Sequence, residues 1–231
     1  MSILVIVVQL FALLFAITIH EAAHSWAAMK KGDLTAYSMG RVTLNPVAHI
    51  DLFGTIIVPV LLVLMRMPVF GWAKPVPVNA FNLKNPRRDN LWISFAGPAA
   101  NFTAAGSCLL LIIALKSISP GVRVFLDGLY TYLATGSSPS LAPALKPVGG
   151  LVLILFYGAL VNIYLAVFNM IPVPPLDGSG VLMGLLPPEA AHKYDKIRPY
   201  GFLIVIGLIY LGVLGFIIRP VLYVIFRLVF V

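Results

Sequence analysis

Residues His20-Glu21-Ala22-Ala23-His24 form the pattern H-E-x-x-H at the end of a long apolar run. On a helix, residues four positions apart lie on one face, so both imidazoles can reach the same metal ion. Zinc suits two imidazoles and a carboxylate, and it leaves a fourth position open for water. Glu21 would then take a proton from a water molecule that attacks a carbonyl carbon. The alternative is a buried polar cluster without metal, which would be costly inside a membrane.

The third ligand should be a carboxylate near the membrane, and Asp177 is the candidate. It lies in Asn169-Met170-Ile171-Pro172-Val173-Pro174-Pro175-Leu176-Asp177-Gly178, directly after an apolar run. The prolines prevent a continuing helix, and irregular backbone is tolerated there only if it is buried in protein or lines a wet cavity. Gly178 would permit a turn that aims the carboxylate. The alternative is a proline-rich turn without chemistry. The other acids considered lie in loops or polar segments: Asp127, Glu189 and Asp195.

The elements that must position these residues are membrane helices. Of the 231 residues, 60% are hydrophobic and 10% are charged, whereas soluble domains average about 25% charged residues, which excludes a water-soluble fold. Apolar runs predict spans over residues 3–31, 91–115, 148–170 and 200–218. We expect Arg219-Pro220 to kink or end the last span. The net charge of +8 indicates basic cytoplasmic loops, and we expect the lipid bilayer and no nucleic acid as a partner.

Residues 52–65 are ambiguous, because 14 residues give about 21 Å of helix, which is short of a full span. If the segment crosses, the basic residues on its two flanks lie on opposite sides of the membrane. If it re-enters, all eight lie on one side, as the positive-inside tendency favours. They are Lys30, Lys31, Arg41, Arg66, Lys74, Lys84, Arg87 and Arg88. We favour the re-entrant arrangement.

Taken together, the motifs resemble the site-2 protease family of intramembrane zinc metalloproteases. The resemblance rests on 20–24, on 169–178 and on Gly97-Pro98-Ala99-Ala100-Asn101-Phe102. Two further runs are similar to the compact prokaryotic branch of the family: Arg41-Val42-Thr43-Leu44-Asn45-Pro46 and the run from Phe70-Gly71 to Asn79. We expect this chain, like that branch, to have no PDZ or CBS domain.

The resemblance implies residue roles. It implies that His20, His24 and Asp177 hold one Zn²⁺ ion, that Glu21 is the general base, and that Asn169 positions substrate or stabilises the oxyanion. The expected fold is an all-α polytopic membrane protein of about five or six membrane helices, one of which could be re-entrant, with a short membrane-associated β segment. We expect one intramembrane protease domain over 1–231, with a catalytic core over about 3–186 and one or more C-terminal helices over 198–231.

Residues 74–79, Lys-Pro-Val-Pro-Val-Asn, are the candidate β segment. Prolines two apart place their missing N–H groups on the same edge, which suits an edge strand. The other edge could pair with an extended substrate through Val76, Val78 and Asn79. The alternative is a rigid loop.

Small and polar residues of the apolar spans are candidates for support of the site. Gly97 and its neighbour Pro98 belong to a predicted helix-packing face. Asn101 is expected to hydrogen-bond across helices and orient the site, and Asn162 lies two turns from Asn169 on one face. His49 is interpreted as a membrane-interface histidine rather than a fourth ligand.

The predicted function is cleavage of transmembrane protein substrates within or near their membrane segments, in regulated intramembrane proteolysis or in the clearance of membrane remnants. The expected location is a prokaryotic cell membrane, with water reaching the site from the cytoplasmic side, because His20 lies about 15 Å along its helix from Lys30. The alternatives are a zinc transporter or sensor without proteolysis, a non-catalytic scaffold, and a membrane zincin with soluble substrates. The sequence leaves the oligomeric state open.

Overall fold

The computed structural model describes residues 3–58, 61, 64, 65, 72–135 and 147–231. Nine α-helices lie within these residues. They are α1 (Ile3–Lys30), α2 (Thr35–Ser38), α3 (Pro86–Ile118), α4 (Pro120–Thr135), α5 (Pro147–Asn169), α6 (Asp177–Leu185), α7 (Pro188–Asp195), α8 (Gly201–Tyr210) and α9 (Val213–Phe230). Shorter helical turns are Pro46–His49, Leu52–Ile57, Ala80–Asn82 and Arg198–Tyr200.

Among the described residues, four helices are long and apolar enough to cross a membrane: α1, α3, α5 and α9. This confirms the prediction of an all-α polytopic membrane protein. Three of the four follow the predicted spans, because uninterrupted apolar runs leave the backbone no partner in lipid except its own helix. No strand forms within the described residues, which include 74–79. The expected β segment is therefore not confirmed.

The predicted fourth span over 200–218 is wrong. Gly212 has a left-handed backbone conformation (φ 72°), which glycine adopts readily and which ends α8 at Tyr210. Pro220, which we expected to end or kink the span, lies inside α9. Membrane helices tolerate such a proline when their neighbours compensate for the lost hydrogen bond. The fourth helix that is long and apolar enough to cross a membrane is therefore Val213–Phe230.

The helices α1, α3 and α5 pack against one another in all three pairs and form the body of the protein. Their shared core contains buried aliphatic and aromatic side chains, among them Val5, Ile112 and Phe156. The ring of Phe156 makes edge-to-face contacts with Phe226 and Phe230 of α9. The fourth span is thus attached to the body through aromatic packing.

Hydrogen bonds join the chain that precedes residues 56–71 to the chain that follows them. The Trp72 N–H donates to the carbonyl of Gly54 at 3.1 Å, and the Lys74 N–H donates to the carbonyl of His49 at 3.0 Å. The two flanks therefore lie on the same side of the molecule, as a re-entrant segment requires. Three residues that entered the sequence argument, Arg66, Phe70 and Gly71, lie outside the described residues.

Candidate active site

His20 and His24 are buried on α1, and their ligand atoms converge on Asp177 at the start of α6. The two Nε2 atoms are 3.0 Å apart. Oδ2 of Asp177 lies 2.9 Å from Nε2 of His20 and 3.2 Å from Nε2 of His24. Adjacent ligands of a tetrahedral ion at bond lengths of 2.0–2.1 Å are about 3.3 Å apart. Small outward adjustments would therefore give the spacing that zinc needs.

When both imidazoles are neutral, their Nδ1 hydrogen bonds place the single proton of each ring on Nδ1 and leave Nε2 free to bind a metal ion. Nδ1 of His20 donates to Oδ1 of Asn101 at 2.5 Å, and Nδ1 of His24 donates to the carbonyl of Ile93 at 2.7 Å. Because a neutral imidazole carries one N–H, each Nε2 directs a lone pair at its neighbours. Oδ2 of Asp177 is also buried, with no hydrogen-bond donor among the described residues. In this tautomer three lone pairs face one another at 2.9–3.2 Å, so the donor set fits a metal ion.

A buried amide network fixes the orientation of Asn101. Its Nδ2 donates to the carbonyl of Ala16 at 3.0 Å and to Oδ1 of Asn162 at 2.7 Å. Nδ2 of Asn162 donates in turn to the carbonyl of Gly158 at 2.8 Å. Both asparagine side chains are fully buried. The network leaves Oδ1 of Asn101 as the acceptor for Nδ1–H of His20. Residues of α5 thus help to determine which nitrogen of His20 carries the proton.

Gly97 lies directly against the histidine pair. A Cβ atom at this position would come within 2.7 Å of Cε1 of His24 and 2.8 Å of Cε1 of His20. Its neighbour Pro98 is buried inside α3, and its missing N–H leaves the carbonyl of Ser94 without the usual helical partner. The predicted packing face is therefore also the wall behind the imidazoles.

The position of Asp177 depends on close backbone approach. A Cβ atom at Gly178 would collide with the carbonyl groups of Met170 and Ile171. Gly178 is not among the described glycines with positive φ, so the turn that we expected from it is not the reason for a glycine here. Space for the preceding backbone is the reason.

Two glycines of α6 were missed in the sequence. A Cβ atom at Gly180 would collide with the side chain of Ser94, and one at Gly184 would collide with Leu91. These contacts bring α6 close to α3. The spacing Gly-x-x-x-Gly at 180–184, typical of close helix pairs in membranes, was the signal that could have found them.

A cavity of about 510 Å³ adjoins the histidines and Asp177. Among the residues that line it are Glu21, Val76, Val78 and Asn169. Nδ2 of Asn169 donates to the carbonyl of Leu165 at 3.0 Å. The structure thus brings the candidate base, the candidate oxyanion residue and part of the 74–79 segment to one space.

Asn79 and His49 are placed differently from the sequence interpretation. Asn79 is not among the residues that line the cavity, and its Oδ1 accepts a hydrogen bond from the Phe81 N–H at 3.1 Å. His49 is 1% exposed, so it is a core residue and not an interface residue. Its Nε2 donates to the carbonyl of Thr43 at 2.9 Å, and His49 is not part of the ligand cluster.

Comparison with known proteins identifies the family. The model of peptidase family M50 matches residues 8–211. "Putative zinc metalloprotease YwhC" of Bacillus subtilis (strain 168) is 32% identical over 211 residues, which cover 91% of this chain and 83% of that protein. "Putative zinc metalloprotease Rip2" of Mycolicibacterium smegmatis (strain ATCC 700084 / mc(2)155) is 29% identical over 199 residues, which cover 85% of this chain and 64% of that protein. No solved structure matches the chain. The family match confirms the resemblance drawn from the motifs: the chain belongs to peptidase family M50, the site-2 protease family.

Proposed function

We propose that this protein is a zinc-dependent endopeptidase that cleaves peptide bonds within or near the transmembrane segments of other membrane proteins. Such cleavage would serve regulated intramembrane proteolysis or the clearance of membrane remnants. One observation carries the proposal: the Nε2 atoms of His20 and His24 and a buried Asp177 oxygen converge beside a cavity that Glu21 lines. The relatives' names, which specify zinc metalloproteases, support the choice of metal.

Zinc, when bound by His20, His24 and Asp177, supplies Lewis-acid polarisation of the scissile carbonyl and of the attacking water. Oδ1 of Asn101 accepts a hydrogen bond from Nδ1–H of His20 and so keeps Nε2 free as the ligand nitrogen. Glu21 takes a proton from water as the water attacks the carbonyl carbon, and it then returns this proton to the leaving amine. Asn169, on the cavity wall, is assigned to hold the carbonyl oxygen.

The depth of the site favours bonds near the membrane surface. Trp26 of α1 is exposed, and Lys30 lies over its ring at 5.7 Å, as expected for an aromatic and basic residue at the lipid headgroups. His20 lies six residues before Trp26, which is about 9 Å along the helix. A substrate helix must therefore unwind just below the interface. Water would reach the site from this basic side, which we assign to the cytoplasm of a prokaryotic cell.

The change Glu21→Gln tests the proposed reaction. We expect the variant to keep one zinc ion per chain and to lose at least about a hundredfold in cleavage rate, because it cannot accept the proton from water. Zinc is measured by mass spectrometry of purified protein, and cleavage by proteomics of membranes for accumulated transmembrane fragments. The exposed Glu189→Gln is the matched control. Retained cleavage in Glu21→Gln would overturn the mechanism, and zinc movement without cleavage in the native chain would favour the transporter alternative.

A further inference from the structure

Segment 74–79, which we call the clamp segment, is fixed at its start by Arg41. The Arg41 side chain is only 4% exposed. Its Nη2 donates to the carbonyl of Lys74 at 2.5 Å and to the carbonyl of Pro75 at 3.1 Å, and its Nη1 donates to the carbonyl of Ala48. One guanidinium thus joins the clamp segment to the preceding loop.

The buried Asp33 fixes the other end of the clamp segment. Its Oδ2 accepts the N–H of Asn79 at 2.7 Å, and its Oδ1 accepts hydrogen bonds from Thr35 and Asn82. Burial raises the pKa of Asp33, but these hydrogen bonds hold it below its ordinary value. The carboxylate therefore stays ionised at neutral pH and keeps its hold on Asn79.

The anchors hold the two ends of the clamp segment and leave Val76 and Val78 between them. Pro75 and Pro77 confine the residues that precede them to extended backbone, in which alternate residues direct their N–H and C=O groups to opposite edges. The carbonyl of Pro75, bound by Arg41, and the N–H of Asn79, bound by Asp33, share the odd-numbered edge. The carbonyl of Lys74, which Arg41 also binds, lies on the even-numbered edge, and Pro75 lines the cavity. On the even-numbered edge, Val76 and Val78 line the cavity and make no backbone hydrogen bond within the described part of the chain.

We propose that Arg41 and Asp33 are positioning residues that fix the register in which Val76 and Val78 bind an extended substrate. Arg41 has no carboxylate partner among the described residues, and its Nε is buried without an acceptor. A buried charge held only by carbonyl groups is expensive, and a rigid attachment of the clamp segment accounts for its presence. The inference rests on the proposed proteolytic function, since register matters only if a chosen peptide bond must meet the metal.

The first test measures the cleavage register. The probe is a synthetic transmembrane peptide of about 20 apolar residues with an Asn-Gly pair about six residues, or about 9 Å of helix, from one end. Mass spectrometry identifies the bond that is cut. We expect Arg41→Ala to spread cleavage over neighbouring bonds and to raise KM about tenfold through lost hydrogen bonds, while zinc content is unchanged. Arg41→Lys keeps the charge but cannot bind several carbonyl groups in the planar geometry of a guanidinium. This variant should still cleave mainly at the original bond, with an intermediate KM. The exposed Arg88→Ala is the charge-matched control. A uniform loss of rate at the original bond would overturn the proposal.

A second test leaves both anchors in place. Val78→Pro removes an N–H from the even-numbered edge, whereas Pro77→Ala adds one to the odd-numbered edge. With Glu21→Gln in both, so that binding is measured without cleavage, we expect only Val78→Pro to weaken the Kd for the probe, by about tenfold. Equal affinities would overturn the edge assignment. A native chain that binds the probe with this pattern but never cuts it would contradict the proposed proteolysis and leave the edge assignment supported.

Discussion

The chemistry of the site depends on individual protons. H-E-x-x-H and the proline-rich run predicted which three side chains converge, because helical spacing and the cost of ionisable groups in lipid are both legible in a sequence. The sequence could not predict which nitrogen of each histidine is free. That depends on Asn101, which lies 81 residues from His20 in the chain, and on the carbonyl of Ile93. Contacts between distant helices have no local signal.

The change Asn101→Leu tests whether the amide network controls metal affinity. Leucine has the same number and branching of side-chain heavy atoms but cannot accept the hydrogen bond from Nδ1–H of His20, so the imidazole loses its preferred tautomer. We expect zinc to bind about 10–100-fold more weakly, as measured by competition with a chelator in detergent. The exposed Asn85→Leu is the control. Unchanged affinity would show that His20 keeps its tautomer without Asn101.

The helices of the body were predictable as elements, but their separations were not. Apolar runs predicted α1, α3 and α5, since each run is long enough to span the membrane. The fourth span was misplaced because Gly212 and Pro220 are both potential breaks, and only packing decides which one interrupts the helix. The sequence predicted a packing face at Gly97 but not its partners, whereas the structure shows that Gly97 lies against the histidine pair and that Gly180 and Gly184 lie against α3.

Two glycines of α3 provide a matched pair for this point. In a helix interior, Gly→Ala ordinarily stabilises by up to about 1 kcal/mol. Gly106 should show this gain, because no described atom beyond its chain neighbours and the adjoining helix backbone lies within 4 Å of the place that its Cβ would occupy. Gly97→Ala places the methyl group against both imidazoles, so we expect a net loss of about 1–3 kcal/mol and reduced zinc content. Thermal unfolding in detergent and metal analysis measure both effects. Equal stability of the two variants would contradict the assignment of Gly97 to the wall of the site.

At the scale of the whole molecule, contacts between loops bring basic residues together at one end. Arg41 and Lys74 belong to loops that hydrogen-bond each other, and α1 ends in this region at Lys30. At the opposite end of the body, Nζ of Lys116 donates to the carbonyl of Val229 at 3.1 Å, so that α3 and α9 finish together. One end of the molecule therefore carries most of the basic residues, the exposed Trp26 and the candidate site, which agrees with a cytoplasmic orientation.

Cysteine labelling in sealed spheroplasts tests this topology, with Cys108 first replaced by serine. Leu44 and Phe81 are exposed on the two flanks of the 52–65 segment, and Ser117 is exposed at the far end of α3. We expect an impermeant maleimide to label Ser117→Cys in intact spheroplasts, and Leu44→Cys and Phe81→Cys only after permeabilisation. Labelling of Leu44→Cys and Phe81→Cys from opposite sides would show that the 52–65 segment crosses the membrane. If all three labelling results were reversed, the segment would still be re-entrant, but the site would lie on the outer face. The hydrogen bonds between the two flanks fix their common side, and only the charge distribution assigns that side to the cytoplasm.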